Sequence, residues 1–200
     1  NSSSPYSSLP DMFVSRVATS GGREAYRYPV PDPSGGPETW QSLTWSQTRD
    51  RVRDIALGLH SLGVTSQARC AIASGTRLEW ILADLAILCA GGASTTIYPT
   101  STAPDCAYIV SDSGSMVAFA EDDEQVAKLR EQRPQMPGLS RVVAFEGDAG
   151  GDDDWVMSLA DLEKAGAELA QEQPDLFDRL VSSVQPGHLA TLIYTSGTTG

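Results

Sequence analysis

Between residues 69 and 145 the chain alternates short apolar runs with longer amphipathic stretches, and no other feature narrows the fold as much. Residues 69–74, 93–98, 116–120 and 141–145 are brief, apolar and bounded by polar or glycine-containing segments, which reads as strands. Between them, Trp80, Leu85 and Leu88 recur at helical spacing up to Gly91, and residues 104–111 and 121–133 carry two more helical patterns. Consecutive strands joined through helices are parallel neighbours, because only a crossover of a dozen or so residues returns the chain in the same direction. The alternation therefore predicts an α/β fold: a mostly parallel, doubly wound sheet with flanking helices.

The flanks extend this pattern. Residues 1–22 are rich in Ser at their start and read as an irregular lead. Residues 23–28 and 41–45 look like strands on either side of a Pro/Gly-rich turn at 29–37, so 23–45 is expected to be a β-hairpin. Thr44 and Gln47 have capping-box spacing, and Val52, Ile55, Ala56, Leu59 and Leu62 then follow a helical period that Gly63 ends. Thr76 and Glu79 offer a second box before Trp80. From residue 46 to residue 200 the chain reads as βα units. They include a Gly/Asp-rich surface loop at 147–154, a helix opened by Ser158 and Asp161, a helix at 175–182, and a buried strand at 189–194.

Composition limits the partners. With 26 acidic against 14 basic side chains the formal net charge is -12, so the surface repels nucleic-acid phosphates and a nucleic-acid binder is not expected. Cys70, Cys89 and Cys106 are widely spaced with no C-x-x-C pair. They suit neither a disulfide framework nor a zinc site, and read as small core residues in a reducing, cytoplasmic setting. The most apolar stretch, 80–93, contains Asp84 and falls short of the roughly 20 residues that a membrane span needs. It reads as a buried helix.

Residues 192–200 place an apolar strand directly before Thr195, Ser196, Gly197, Thr198, Thr199 and Gly200. Glycines let backbone N–H groups turn toward an anion without a Cβ in the way, and the hydroxyls add rotatable donors. Such a composition suits a phosphate cradle without any positive side chain, and taken in isolation it equally reads as a polar strand-to-helix turn. It is not a Walker loop, since no Gly-Lys follows at the required spacing.

The segment Tyr194-Thr195-Ser196-Gly197-Thr198-Thr199-Gly200 resembles the signature of the AMP-binding, adenylate-forming superfamily, which includes acyl-CoA synthetases, luciferases and peptide-synthetase adenylation domains. Leu43-Thr44-Trp45-Ser46 and Leu88-Cys89-Ala90-Gly91-Gly92-Ala93 are similar to two further motifs of that family. Tyr98-Pro99-Thr100-Ser101 and Ala107-Tyr108-Ile109-Val110-Ser111-Asp112-Ser113 resemble the branch of bacterial long-chain fatty-acid CoA ligases. The resemblance implies an enzyme that joins a fatty acid to ATP as an acyl-adenylate and passes the acyl group to CoA. It implies that Thr195 to Gly200 hold the β- and γ-phosphates, with Thr195 beside Mg²⁺. It also implies that residues 1–200 are the N-terminal portion of an AMP-binding domain. The magnesium carboxylate, the ribose contact and the catalytic lysine of the family are expected beyond Gly200, so no catalytic residue is assigned here and these residues alone are expected to be inactive. Peripheral contact with a membrane and an oligomeric state are both compatible with this reading.

Two alternatives stand beside it. One is an adenylating enzyme for an amino or aryl acid; the other is a non-catalytic nucleotide-binding module that uses the same loop as a sensor. His188, in the turn after Pro186-Gly187, reads as structural, with a base as the alternative, and residues 98–100 are expected to pack in the core, with a place facing the adenylate pocket from the end of a strand as the alternative.

Overall fold

Short strands pair side by side, five of them on segments expected from the sequence and one, residues 156–158, not expected. In the computed structural model, which describes residues 5–147 and 154–195, strands β3 (Arg69–Ala73), β4 (Ala93–Ile97), β5 (Ser115–Ala120), β6 (Arg141–Ala144), β7 (Val156–Ser158) and β8 (Thr191–Leu192) form a parallel sheet ordered β7-β6-β5-β3-β4-β8. A separate antiparallel pair, β1 (Glu24–Val30) and β2 (Thr39–Thr44), is the expected hairpin. The helices are α1 (Leu9–Ser20), α2 (Trp45–Ser61), α3 (Leu78–Cys89), α4 (Ala103–Ser113), α5 (Asp123–Glu131), α6 (Leu159–Glu172) and α7 (Leu176–Ser183).

Alternation along the strands divides the core into two layers. Cys70, Ile72, Val117, Phe119 and Val143 face a cluster that includes Ile55 and Leu59 of α2, Leu82 and Ile87 of α3, Leu162 of α6 and Phe177 of α7. Ala71, Ala73, Ala118, Ala120, Val142 and Ala144 face the opposite cluster, built with Cys106 and Val110 of α4 and Leu129 of α5. Small residues on this second face let α4 and α5 approach closely. Ile55, Ile72 and Phe119 are wholly buried, and each such side chain contributes about 1.5–3 kcal/mol of transfer free energy.

Chain order reverses around β3. The chain leaves β3 through α3 to β4 on one side, then crosses back through α4 to β5 on the other. In open α/β sheets, ligands bind outside the carboxyl ends of the strands near such a reversal.

Local chemistry explains the helix ends. At the start of α2, Gln47 N–H donates to Thr44 Oγ1 at 3.2 Å while Thr44 N–H donates to Gln47 Oε1 at 2.9 Å, which is the expected capping box. Gly63 and Gly91 close α2 and α3 at φ values of 92° and 84°, a left-handed conformation that a Cβ would strain. Helices α2 and α6 meet at two glycines. A Cβ on Gly166 would lie 1.7 Å from the Asp54 carbonyl oxygen, and one on Gly58 would lie 2.4 Å from the Leu162 carbonyl oxygen. The same crossing carries a two-point ion pair from Arg51 Nε and Nη2 to Glu163 at 2.8 and 3.1 Å.

Four expectations need correction. The lead at 1–22 contains α1, whose N-cap is Ser8. The Ser8 hydroxyl accepts from Asp11 N–H at 3.1 Å, and Pro10 in the first turn has no N–H to leave unsatisfied. Thr76 and Glu79 form no capping box: Arg77 is the N-cap of α3, without a side-chain cap, and Glu79 accepts from Arg77 Nε at 2.6 Å instead. A carboxylate drawn into an ion pair is lost to the helix cap. The strand at 189–194 shortens to the two residues of β8, with Thr191 exposed and Leu192 half-buried. Among the described residues it pairs with β4 alone, and Leu189, Ala190 and Leu192 are half-buried. Tyr98 is 63% exposed rather than packed in the core, because β4 ends at Ile97 and the side chain projects beyond the sheet. The loop at 147–154 lies, between residues 148 and 153, outside the described residues.

Candidate functional site

Three loops leave the carboxyl ends of adjacent strands: residues 74–77 after β3, 98–102 after β4 and 193–195 after β8. The loop after β4 is held from α5, where Lys128 Nζ and Gln125 Nε2 donate to the Pro99 carbonyl at 2.7 and 3.3 Å. Ser101 N–H donates to the Tyr98 carbonyl at 2.9 Å, closing a tight turn. At the head of α4, Thr102 and Asp105 form a reciprocal capping box. These bonds fix one wall of a cleft.

The opposite wall is the exit of β8. An open cavity of about 300 Å³ lies between Tyr98, Ser101, Asp105, Tyr108 and Ile109 on one side and Tyr194 and Thr195 on the other. Tyr194 lies alongside α4, edge-on to Tyr108 with ring centroids 6.2 Å apart and planes at 87°. Its hydroxyl donates to Asp112 Oδ2 at 2.6 Å. Tyr108 and Asp112 are four residues apart and so share one face of the helix. Burial first, and then the adjacent Asp112 carboxylate, push the Tyr194 phenol up to about 12, so it keeps its proton near neutral pH. Thr195 follows, exposed at the mouth of the cleft. Ser196, Gly197, Thr198, Thr199 and Gly200 lie outside the described residues.

A second cavity at this end of the sheet, about 520 Å³, separates the hairpin from the start of α3 and has Tyr26, Tyr28, Trp40 and Ile81 on its walls. Arg77 reaches into it, paired with Glu79 at 2.6 Å, with Glu146, and with Glu121 at 3.7 Å. Glu121 also accepts from Gly75 N–H at 3.0 Å, so the loop after β3 is tied to β5. This network satisfies Arg77 within the protein.

The remaining sequence candidates separate from the cleft. His188 precedes β8 by three residues and lines a different cavity, about 340 Å³, with Leu88 and Gly91 at the amino ends of the strands. Thr195 lines the cleft at the other end of β8, so His188 is not among the residues around it. His60 is half-buried on α2, away from the cleft, with its Nδ1 turned inward and without a hydrogen-bond partner. Cys70, Cys89 and Cys106 are all buried free thiols, and burial pushes Cys70 and Cys89 up to about 12, which removes them as nucleophiles. Among the described residues no group of three His, Cys, Asp or Glu side chains could hold a metal ion. A magnesium ion shared between one hydroxyl and phosphate oxygens requires no such group. Sequence reasoning did not identify the Tyr194–Asp112 bond, because 82 positions separate the two residues and only the fold brings them together.

A parallel sheet with helices on both faces, a strand-order reversal and a Ser/Thr/Gly segment following a strand is the architecture of α/β proteins that take ligands at the carboxyl ends of their strands. The chain belongs to the AMP-binding enzyme family, whose model matches residues 13–200. It is 37% identical over 163 residues to the long-chain-fatty-acid–CoA ligase FadD15 of Mycobacterium bovis, covering 80% of this chain and 25% of that protein. It is 26% identical to the long-chain-fatty-acid–CoA ligase ACSBG2 of Xenopus laevis over 82% of this chain and 22% of the relative. The chain thus spans about a quarter of the length of the curated relatives it matches. Among solved structures, the long-chain-fatty-acid-CoA ligase FadD1 from Archaeoglobus fulgidus superposes with a TM-score of 0.72 at 17% identity, covering 97% of this chain and 35% of the other. The anthranilate CoA ligase AuaEII, in complex with anthranoyl-AMP, gives 0.67 at 17% identity, covering 98% and 33%. At these identities the superpositions show a shared fold. No helix among the described residues is long and apolar enough to cross a membrane.

Proposed function

We propose that this chain is the first portion of the AMP-binding domain of a ligase that activates a long-chain fatty acid with ATP, as an acyl-adenylate, and transfers the acyl group to CoA. The observation that carries the reading is Thr195, the first hydroxyl of the phosphate-binding signature, at the mouth of a cleft where β8 leaves the sheet. The curated relatives, each a long-chain-fatty-acid–CoA ligase by name, support the choice of substrate.

In this reading Thr195, Ser196, Gly197, Thr198, Thr199 and Gly200 hold the β- and γ-phosphates through backbone N–H groups and hydroxyls, and Thr195 stands beside Mg²⁺. The ion would neutralise charge on the departing pyrophosphate. The chain's own contribution is positional: a loop aimed from the carboxyl end of a strand, with donors fixed before charge develops. A cytoplasmic protein with peripheral membrane contact suits a substrate that partitions into lipid, and an oligomer is compatible with it.

The test is acyl-dependent exchange of labelled pyrophosphate into ATP by the complete protein. Exchange with long-chain fatty acids is expected, and none from residues 1–200 alone. Exchange only with amino or aryl acids would keep adenylation and remove the fatty-acyl assignment. Nucleotide binding without exchange would leave a sensor.

A further inference from the structure

The inner face of α5 serves a loop as well as the core. Val126 and Leu129 are buried in the second layer and seat the helix on the sheet. Gln125, also buried, and Lys128 turn instead to the loop after β4, where the Pro99 carbonyl accepts from Gln125 Nε2 at 3.3 Å and from Lys128 Nζ at 2.7 Å. Two donors occupy both lone pairs of that oxygen. Proline has no N–H, so the carbonyl is the only backbone hydrogen-bonding group by which Pro99 can be held. The lysine side chain is 20% exposed, whereas its carboxylate partner Glu124, at 3.1 Å, is 73% exposed and contributes little as a surface pair. A largely desolvated ammonium is unfavourable without close polar partners. Those partners are the Pro99 carbonyl and, at 3.4 Å, Gln125 Oε1.

We propose that Lys128, with Gln125 beside it, is a positioning residue for the nucleotide, acting through the Pro99 carbonyl to hold Tyr98 and Ser101 in the cleft wall that faces Thr195. The inference rests on the reading of this cleft as the place where the ligase binds ATP. Tyr98 and Ser101 flank the held carbonyl and both line the cleft. The turn they share, closed by Ser101 N–H on the Tyr98 carbonyl at 2.9 Å, has Pro99 inside it, so a grip on Pro99 fixes the turn as a unit. A charged donor makes the Lys128 bond the stronger of the two, as its shorter length shows. The loop after β3 lies against the same proline: a Cβ on Gly75 would stand 3.9 Å from Pro99 Cγ. One helix thereby steadies the ground between two adjacent strand ends at the reversal of strand order, where an α/β sheet receives its ligand. Misplacing a positioning element by about 1 Å can lower a rate about a hundredfold. Removing the clamp should therefore act on the nucleotide and spare the acyl acid.

The experiment compares wild type, Lys128→Met, Lys128→Arg, Gln125→Met and Glu124→Gln of the complete protein in the pyrophosphate exchange assay, varying ATP and the fatty acid separately. Lys128→Met keeps the stem and removes the donor, and is expected to raise KM for ATP about tenfold, the factor that ~1.4 kcal/mol represents. KM for the acid should stay at its wild-type value. Lys128→Arg, which retains a charged donor, should lie closer to wild type than Lys128→Met, and Gln125→Met, which removes only the longer bond, should shift KM for ATP in the same direction by a smaller factor. Glu124→Gln abolishes the ion pair, keeps the clamp and should match wild type. Amide hydrogen exchange at Ser101, followed without nucleotide, should quicken in Lys128→Met. Unchanged KM for ATP in Lys128→Met and Gln125→Met, an equal rise in KM for the acid, or unchanged exchange at Ser101 would overturn the positioning role while leaving the ligase reading intact. A wild-type protein without pyrophosphate exchange would remove the ligase reading and the inference together.

Discussion

Cys70 and Cys89 have no polar partner that would stabilise a thiolate, and burial alone pushes both up to about 12 from an ordinary thiol value. In the unfolded chain these thiols would ionise near pH 9, while in the folded chain they hold their protons until about pH 12. Their contribution to stability is therefore complete below pH 9 and is lost as pH rises toward 12. Denaturant unfolding of the 200-residue chain should show a falling midpoint from about pH 9 upward, smaller in Cys70→Ala and Cys89→Ala. Native protein at pH 8 should resist iodoacetamide at both positions, as mass spectrometry would show, whereas rapid labelling of Cys89 would contradict its burial. The inertness of these thiols was legible in the sequence, since each lies within an apolar run. The Tyr194–Asp112 bond was not, because no local pattern pairs residues that only the crossover topology brings together.

Elements with strong local chemistry were the most legible. The Thr44/Gln47 capping box, the helical period of α2 and its end at Gly63 are short-range features, and the structure carries all three. Thr44→Ala should destabilise the chain by about 1 kcal/mol, read from chemical denaturation. Misread elements are those in which a competing interaction takes over. Arg77 takes Glu79 from the cap of α3, and Ser8 with Pro10 starts a helix in a stretch that looks irregular by composition. Strand β7 has three residues, too few for any alternation to appear. Helix crossings are also invisible in one sequence, although they dominate the packing of α2 on α6. Gly166→Ala would drive a methyl group into the backbone of α2 and should cost about 3 kcal/mol, the upper end for overpacking, because backbone cannot rotate away as a side chain can. A loss under about 0.5 kcal/mol, the size expected at a surface position, would show that the helices separate easily.

At the scale of the whole molecule, the proposed function requires an acidic chain to confine the donors for a polyanionic nucleotide to one place. The formal net charge is -12, while the proposed phosphate segment after the exit of β8 would offer neutral donors. Sheet, reversal of strand order and cleft all place that exit at the carboxyl end, which is where an α/β protein receives a ligand. Thr195→Ala in the complete protein tests the central claim most directly. Exchange of labelled pyrophosphate into ATP should slow by roughly 10²-fold or more, as when one preorganised donor is removed from developing charge. Cys89→Ala, assayed beside it, should exchange at the wild-type rate. A Thr195→Ala protein that exchanges as fast as wild type would contradict the assignment of this segment to the phosphates.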